Sequence, residues 1–192
     1  YSNAGTVNDD DNQANWPGPA VSATVGGGTV ESYLPGITNG VASGVEVRPG
    51  DAVEYTISFL SNGNSATQDV LICDRIPAIT TFIPAAFNGN TPAAPGGGDR
   101  GILLSLGSNT VALTNANDGD ELAATGGNNN AVGGYYFPAT VEPSTVFGPN
   151  VDCGGSNTNG AVVVDLSDLP PATGDGMPAD SHGYFRFKAA VN

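Results

Sequence analysis

The residues best suited to covalent chemistry are two cysteines. Cys73 and Cys153 are the only thiols in a chain of 192 residues. They form no CxxC motif, so zinc or thioredoxin-like chemistry has no support. In an oxidising compartment the simplest outcome is a single disulfide between them; the alternative is two buried thiols. The bond would close a loop of about 80 residues and constrain the unfolded chain by up to roughly 4–5 kcal/mol in the chain-entropy description. The one histidine, His182, follows Ser181. Neighbouring residues on a strand point to opposite faces, and no Gly-x-Ser-x-Gly elbow occurs. His182 therefore reads as polar surface, and no catalytic residue is assigned.

Oxygen-rich loops offer a second chemistry. Asn8-Asp9-Asp10-Asp11-Asn12 and the stretch from Asn115 to Glu121 supply carboxylate and amide oxygens. Calcium wants six to eight such ligands. The candidates are Asp9, Asp11, Asn117, Asp118 and Asp120. Neither loop has the full EF-hand spacing, and the alternative is a solvated acidic loop. Calcium is thus an optional ion, and no cofactor is required. Asp118, Asp120 and Glu121 also resemble the paired carboxylates of glycosidases. They sit in Gly/Asn-rich sequence rather than beside strand-borne aromatic subsites, which argues against hydrolysis. Trp16, Tyr135 and Tyr136 could form an aromatic platform for a glycan; the commoner fate of such rings is to anchor a core or a loop.

Composition narrows the partners. Nineteen acidic residues face five basic ones, Arg48, Arg75, Arg100, Arg186 and Lys188, for a net charge of −14. A phosphate backbone would be repelled by that field, which excludes nucleic acid. Anionic lipid is disfavoured likewise. No apolar run approaches the roughly 20 residues that span a bilayer, so no membrane insertion is expected. The partners left are cations, neutral glycans, or further copies of the same chain. Polar surface built from Asn, Thr, Ser and Asp, with one lysine, is typical of secreted surface proteins. An extracellular or cell-surface location is expected. The sequence opens at Tyr1 without Met, which fits a processed mature end or a trimmed chain alike.

The elements that must position these groups are strands. Gly and Pro number 28 and 14, and such punctuation favours short strands and long loops. Val53, Tyr55, Ile57 and Phe59 alternate with polar residues. Pro49-Gly50-Asp51 turns the chain into this strand, and Asn62-Gly63-Asn64 turns it out. Val70 to Cys73 is continuously apolar, which predicts burial on both faces, or on one face plus a disulfide. Thr80 to Ile83 is a further short strand. Ile102 to Leu106 and Thr110 to Thr114 read as a hairpin. Ala161 to Leu166 is a Val-rich strand. At the end, Phe185, Phe187, Ala189 and Val191 share one face, and Tyr184, Arg186 and Lys188 the other.

The first 30 residues read as an arm, 1–30, ahead of a single β-sandwich domain, 31–192. Tyr1 to Val7 reads as a short strand, and Trp16-Pro17-Gly18-Pro19 is a rigid break. Val21, Ala23 and Val25 then alternate before Gly26-Gly27-Gly28. That segment is either an edge strand of its own domain or an assembly strand offered to a neighbour.

One stretch carries a family resemblance. Val47-Arg48-Pro49-Gly50-Asp51-Ala52-Val53-Glu54-Tyr55-Thr56-Ile57 continues through Asn62-Gly63, Asp69-Val70, Asp74, Ile76-Pro77 and Thr81-Phe82. It resembles the surface-protein repeat family catalogued as domain of unknown function eleven. Asn15-Trp16-Pro17, Phe87-Asn88, Asn157 to Val164 and Gly183-Tyr184-Phe185-Arg186-Phe187 are similar to its long cyanobacterial members. The resemblance implies an immunoglobulin-like antiparallel β-sandwich used in envelope, adhesin or filament proteins, with no enzymatic activity. Two functions are then expected. The first is a structural subunit or surface module that self-associates into a homo-oligomer or polymer, through strand addition by the arm. The second is an adhesin-type module that binds a glycan or calcium.

Overall fold

The computed structural model describes residues 47–115, 132–171 and 181–192, apart from residues 62, 92, 94–96, 108, 150 and 152, and also the backbone of four two-residue strands near the N-terminus. Among the described residues twelve strands run β1 (Ser2–Asn3), β2 (Thr6–Val7), β3 (Thr24–Val25), β4 (Gly28–Thr29), β5 (Ala52–Leu60), β6 (Thr67–Arg75), β7 (Thr80–Phe82), β8 (Ile102–Leu106), β9 (Asn109–Leu113), β10 (Gly133–Phe137), β11 (Ala161–Leu169) and β12 (His182–Val191). A four-residue helix, α1 (Ser144–Phe147), is the one helix among the described residues. The molecule is an all-β antiparallel sandwich.

The larger sheet has the order β2-β1-β5-β12-β8-β9, with β7 also paired to β12. The smaller has the order β10-β11-β6. β12 is the central plank. It pairs with all of β5 from His182↔Leu60 to Ala190↔Ala52, and on its other flank with β8 and then β7. Its alternation decides what lies inside. Phe185, Phe187 and Ala189 have no solvent exposure, and their partners Ile57, Tyr55 and Val53 lie level with them. The opposite face carries Tyr184, Arg186 and Lys188, which meet the water-facing side of the sheet as the period of two requires.

The turn into β5 follows its residue types. The Asp51 N–H donates to the Arg48 carbonyl at 3.0 Å, and the Asp51 carboxylate accepts from the Arg48 N–H at 2.7 Å. Gly50 has φ +93°, the left-handed value needed after Pro in a type II turn.

The core packs residues of both sheets together. Ile102, Leu104 and Leu113 from the larger sheet meet Val162, Val164 and Leu166 from the smaller. Phe82 stacks on Tyr136 with centroids 4.2 Å apart, and Tyr55 stacks on Phe187 at 5.0 Å.

The smaller sheet is covered on both faces, which accounts for its continuous apolar strands. Its outer face presents Phe137, Ala161 and Val163, with Leu71, Tyr135 and Phe147 packed on them. The covering piece is the connection from β10 to β11, residues 138–156, referred to below as the flap. Phe147 in α1 plugs it down, edge-on to Tyr135 at 4.6 Å. The disulfide joins Cys73 to Cys153 with Cα atoms 5.4 Å apart. Of the two expectations for Val70 to Cys73, cover on both faces is what the fold displays: Val70 and Ile72 pack on the main core, Leu71 and Cys73 on the outer cluster, and the disulfide lies on that outer side.

Two strands are longer than their sequence signals. β6 runs on through Asp74 and Arg75, and β11 runs to Leu169. Asp74 and Arg75 read as a polar stop, yet each finds partners inside the sheet. β11 also slips register against β6 between Asp165 and Ser167 and again between Ser167 and Leu169. There Asp69 and Ser167 hold positive φ values of 51° and 55°, a bulge that increases local twist.

Candidate functional site

A sandwich has two seams, one along each side where its sheets face each other. The seam between β9 and β10 is closed. The Tyr136 N–H donates to the Asn115 carbonyl at 2.8 Å. Gly134 lies so near Leu113 and Thr114 that a Cβ on it would meet them at 2.9 Å. Val111, Leu113 and Val132 are buried beneath this closure.

The seam between β5 and β6 is different. β6 is the terminal strand of its sheet. On the outer edge of β5, among the described residues, only Ala52 is paired, to Ser2 of β1. Tyr55, Ile57 and Phe59 line one lip and Val70 and Ile72 the other, and all five are only partly buried against the core. Their counterparts on β8, β11 and β12 are fully buried. Among the described residues the result is an apolar slot along a strand edge paired only at Ala52, the arrangement that accepts an added strand.

One end of this slot is polar. Asp74 faces inward with Ile72, and burial pushes its carboxyl above the ordinary carboxylate value, offset in part by the Arg75 N–H it accepts at 2.8 Å. Tyr55 reaches the Thr80 side chain, and burial followed by the Asp74 charge raises its hydroxyl pKa.

The flap is held by more than the disulfide. Arg75 donates from Nε to the Cys153 carbonyl at 2.7 Å, and from its two other nitrogens to the carbonyls of Ser156 and Gly155. Asn157 is buried and donates to the carbonyls of Val141 at 2.7 Å and Pro138 at 3.0 Å, while its Oδ1 accepts from the Gly160 N–H at 2.8 Å. Asn159 donates to the carbonyls of Thr80, Ile76 and Pro77. In the sequence, Arg75 stands in the polar stretch that closes the Val70 to Cys73 strand, and the two Asn residues stand in the 157–164 stretch similar to the long family members. Their staple roles had no signal beyond Asn-x-Asn-Gly before a Val-rich strand.

The remaining sequence candidates fall as follows. Val25 lies in β3, paired to Gly28 of β4; Val21 and Ala23 lie outside the described residues. So do Asp9, Asp11, Asn117, Asp118, Asp120 and Trp16. Among the described residues no group of three His, Cys, Asp or Glu side chains could hold a metal ion. Tyr136 stacks in the main core and Tyr135 packs against Phe147, so both rings serve as anchors. Ser181 is fully buried and donates to the Pro170 carbonyl at 2.5 Å, turned to its own loop.

The outer face of the larger sheet gathers two of the five cations. Glu54 accepts from Arg186 at 3.2 Å and Lys188 at 3.3 Å. Arg186 lies 4.6 Å over the Tyr184 ring and Lys188 5.3 Å over Phe87. This partly exposed cluster fixes the face of β12 and is worth little more than surface pairs elsewhere.

No family model matches the chain, and neither a curated protein nor a solved structure matches it.

Proposed function

We propose that this protein is an extracellular structural subunit or surface module that self-associates into a filament or array. The observation that carries the reading is the open seam between β5 and β6. A partly buried core beside a strand edge that, among the described residues, is paired only at Ala52 is a liability for a solitary secreted domain, and an asset for one whose neighbour covers it. The disulfide fits an oxidising location. The acidic surface suits solubility before assembly and leaves a like chain as a partner through apolar and backbone contacts.

Negative-stain microscopy of the purified full chain tests this reading. Ordered polymers or sheets are expected, and particles of single-subunit size throughout would sink it. The adhesin alternative predicts a different result, namely hits on a glycan array probed in calcium without any polymer.

A further inference from the structure

Asn88 and Gly89 stand in the turn that follows β7, and both are exposed. An Asn-Gly step is prone to lose ammonia, because glycine has no Cβ to crowd the approach of its own nitrogen. We propose that Asn88 is a modification site: it deamidates spontaneously through attack by the Gly89 nitrogen, and the change unlatches the loop between β7 and β8.

The Gly89 nitrogen gives its proton to water or hydroxide and attacks Cγ of Asn88. A C–N bond forms, the Cγ–Nδ2 bond breaks, and ammonia leaves with a proton from water. Water then opens the succinimide to aspartate or isoaspartate. The sum is amide plus water to carboxylate plus ammonium, with no oxidant. Two contacts prepare the amide. The Arg100 N–H donates to Asn88 Oδ1 at 2.7 Å, a fixed donor on the oxygen where negative charge develops. Asn88 Nδ2 donates to the Asp99 carboxylate at 2.9 Å, which only accepts and so holds the amide in that orientation. Gly89 has open space, since a Cβ built on it meets nothing within 4 Å.

The same two residue types recur at Asn159 and Gly160, where the fold protects them. Gly160 is buried, and its N–H donates to Asn157 Oδ1 at 2.8 Å. Asn159 Nδ2 donates to the carbonyls of Ile76, Pro77 and Thr80. Attack there must first free the nucleophile and then the leaving group from these bonds. At Asn88 the product also works against the loop. The side chain of Asn88 ties one end of the loop to Asp99 and Arg100 at the other, beside the bond from the Phe87 N–H to the Arg100 carbonyl at 2.8 Å. A carboxylate at residue 88 has no donor for Asp99 and sets like charges against each other.

Incubation of the folded full chain in mildly alkaline buffer, followed by peptide mapping, tests the site. Trypsin releases residues 76–100, in which Asn88 and Asn90 are the only asparagines. That fragment should gain about one dalton, located at Asn88 by fragmentation, and split into aspartate and isoaspartate forms. Gain at Asn159 should be more than about tenfold slower in the folded chain, and the two rates should converge in denaturant. Equal rates in the folded chain, a gap that persists in denaturant, or gain at Asn88 only after unfolding each overturn the proposal. Gly89→Ala fits the space and the backbone there. It should slow the gain at Asn88 more than about tenfold at an unchanged thermal midpoint; an undiminished rate overturns attack by the Gly89 nitrogen. Asn88→Asp supplies one product directly. Limited proteolysis should cut it within residues 88–99 several-fold faster than the parent, and equal cutting overturns the unlatching.

Discussion

At the scale of single residues, the polar groups inside this β-protein divide into staples and costs. Asn157 is a staple: it is buried, donates to two flap carbonyls at 3.0 Å or less, and accepts from Gly160. Asn157→Ala leaves those backbone groups without their partner and should cost about 2–4 kcal/mol, read as a lower midpoint in chemical denaturation. Asp74 is a cost. Burial holds its folded pKa above the ordinary 3.8, so the folded state prefers the proton. As pH rises from below 3.8, the unfolded chain releases its proton first, and stability falls until the folded pKa is passed. Asp74→Asn should therefore raise the thermal midpoint at pH 7, and the gain should vanish below pH 3.8. Asp165 is raised by burial too, and by the Asp69 charge. Acidification from pH 7 toward pH 4 should thus strengthen these two sites. Melting curves of Asp74→Asn and the parent at both pH values give the sign directly.

At the scale of elements, the strands were legible wherever burial follows a period. The alternation of Val53, Tyr55, Ile57 and Phe59 marks β5 within one residue of its bounds. The unbroken run Val70-Leu71-Ile72 marks a strand covered on both faces, and β6 is covered by the core on one and by the flap on the other. The hairpin of β8 and β9 follows from Gly107 between two apolar runs. The flap itself was illegible, because its packing depends on Phe147, Asn157 and the Arg75 fork, which share no period. The ends of β6 and β11 were illegible because Asp74, Arg75 and Ser167 look like stop signals, and only tertiary partners keep them in strands. The seam could not be read either: an alternating strand reveals which face is buried and not which neighbour stands at its edge. The covalent link across the flap makes its own prediction. Replacing Cys73 and Cys153 by Ala should cost about 2–5 kcal/mol. Limited proteolysis of that variant should cut within residues 138–156 first, since only the hydrogen bonds of Arg75 and Asn157 and the packing of Phe147 described above then remain to hold the flap. Cleavage in β5 or β12 before the flap would contradict this order of stability.

At the scale of the whole molecule, the features join in one asymmetric body. One seam is closed by β9 and β10, one outer face is sealed by a disulfide-bonded flap, and the edge of β5 at the other seam is paired, among the described residues, only at Ala52. Like charge opposes the approach of two copies that each carry −14. Screening by salt should then speed assembly, as it relieves repulsion between subunits; turbidity or light scattering that rises with salt is the expected result, and faster assembly at low salt would require a charge-complementary contact instead. Removal of residues 1–30 deletes β1 to β4 and spares β5 to β12. The truncated chain should keep the β-rich circular dichroism spectrum of the parent and lose assembly. The most direct measurement of the central claim is sedimentation velocity of the full chain across a wide range of concentrations. The account predicts that mass shifts from monomer into progressively larger species as concentration rises. A single monomeric boundary at every concentration would contradict it.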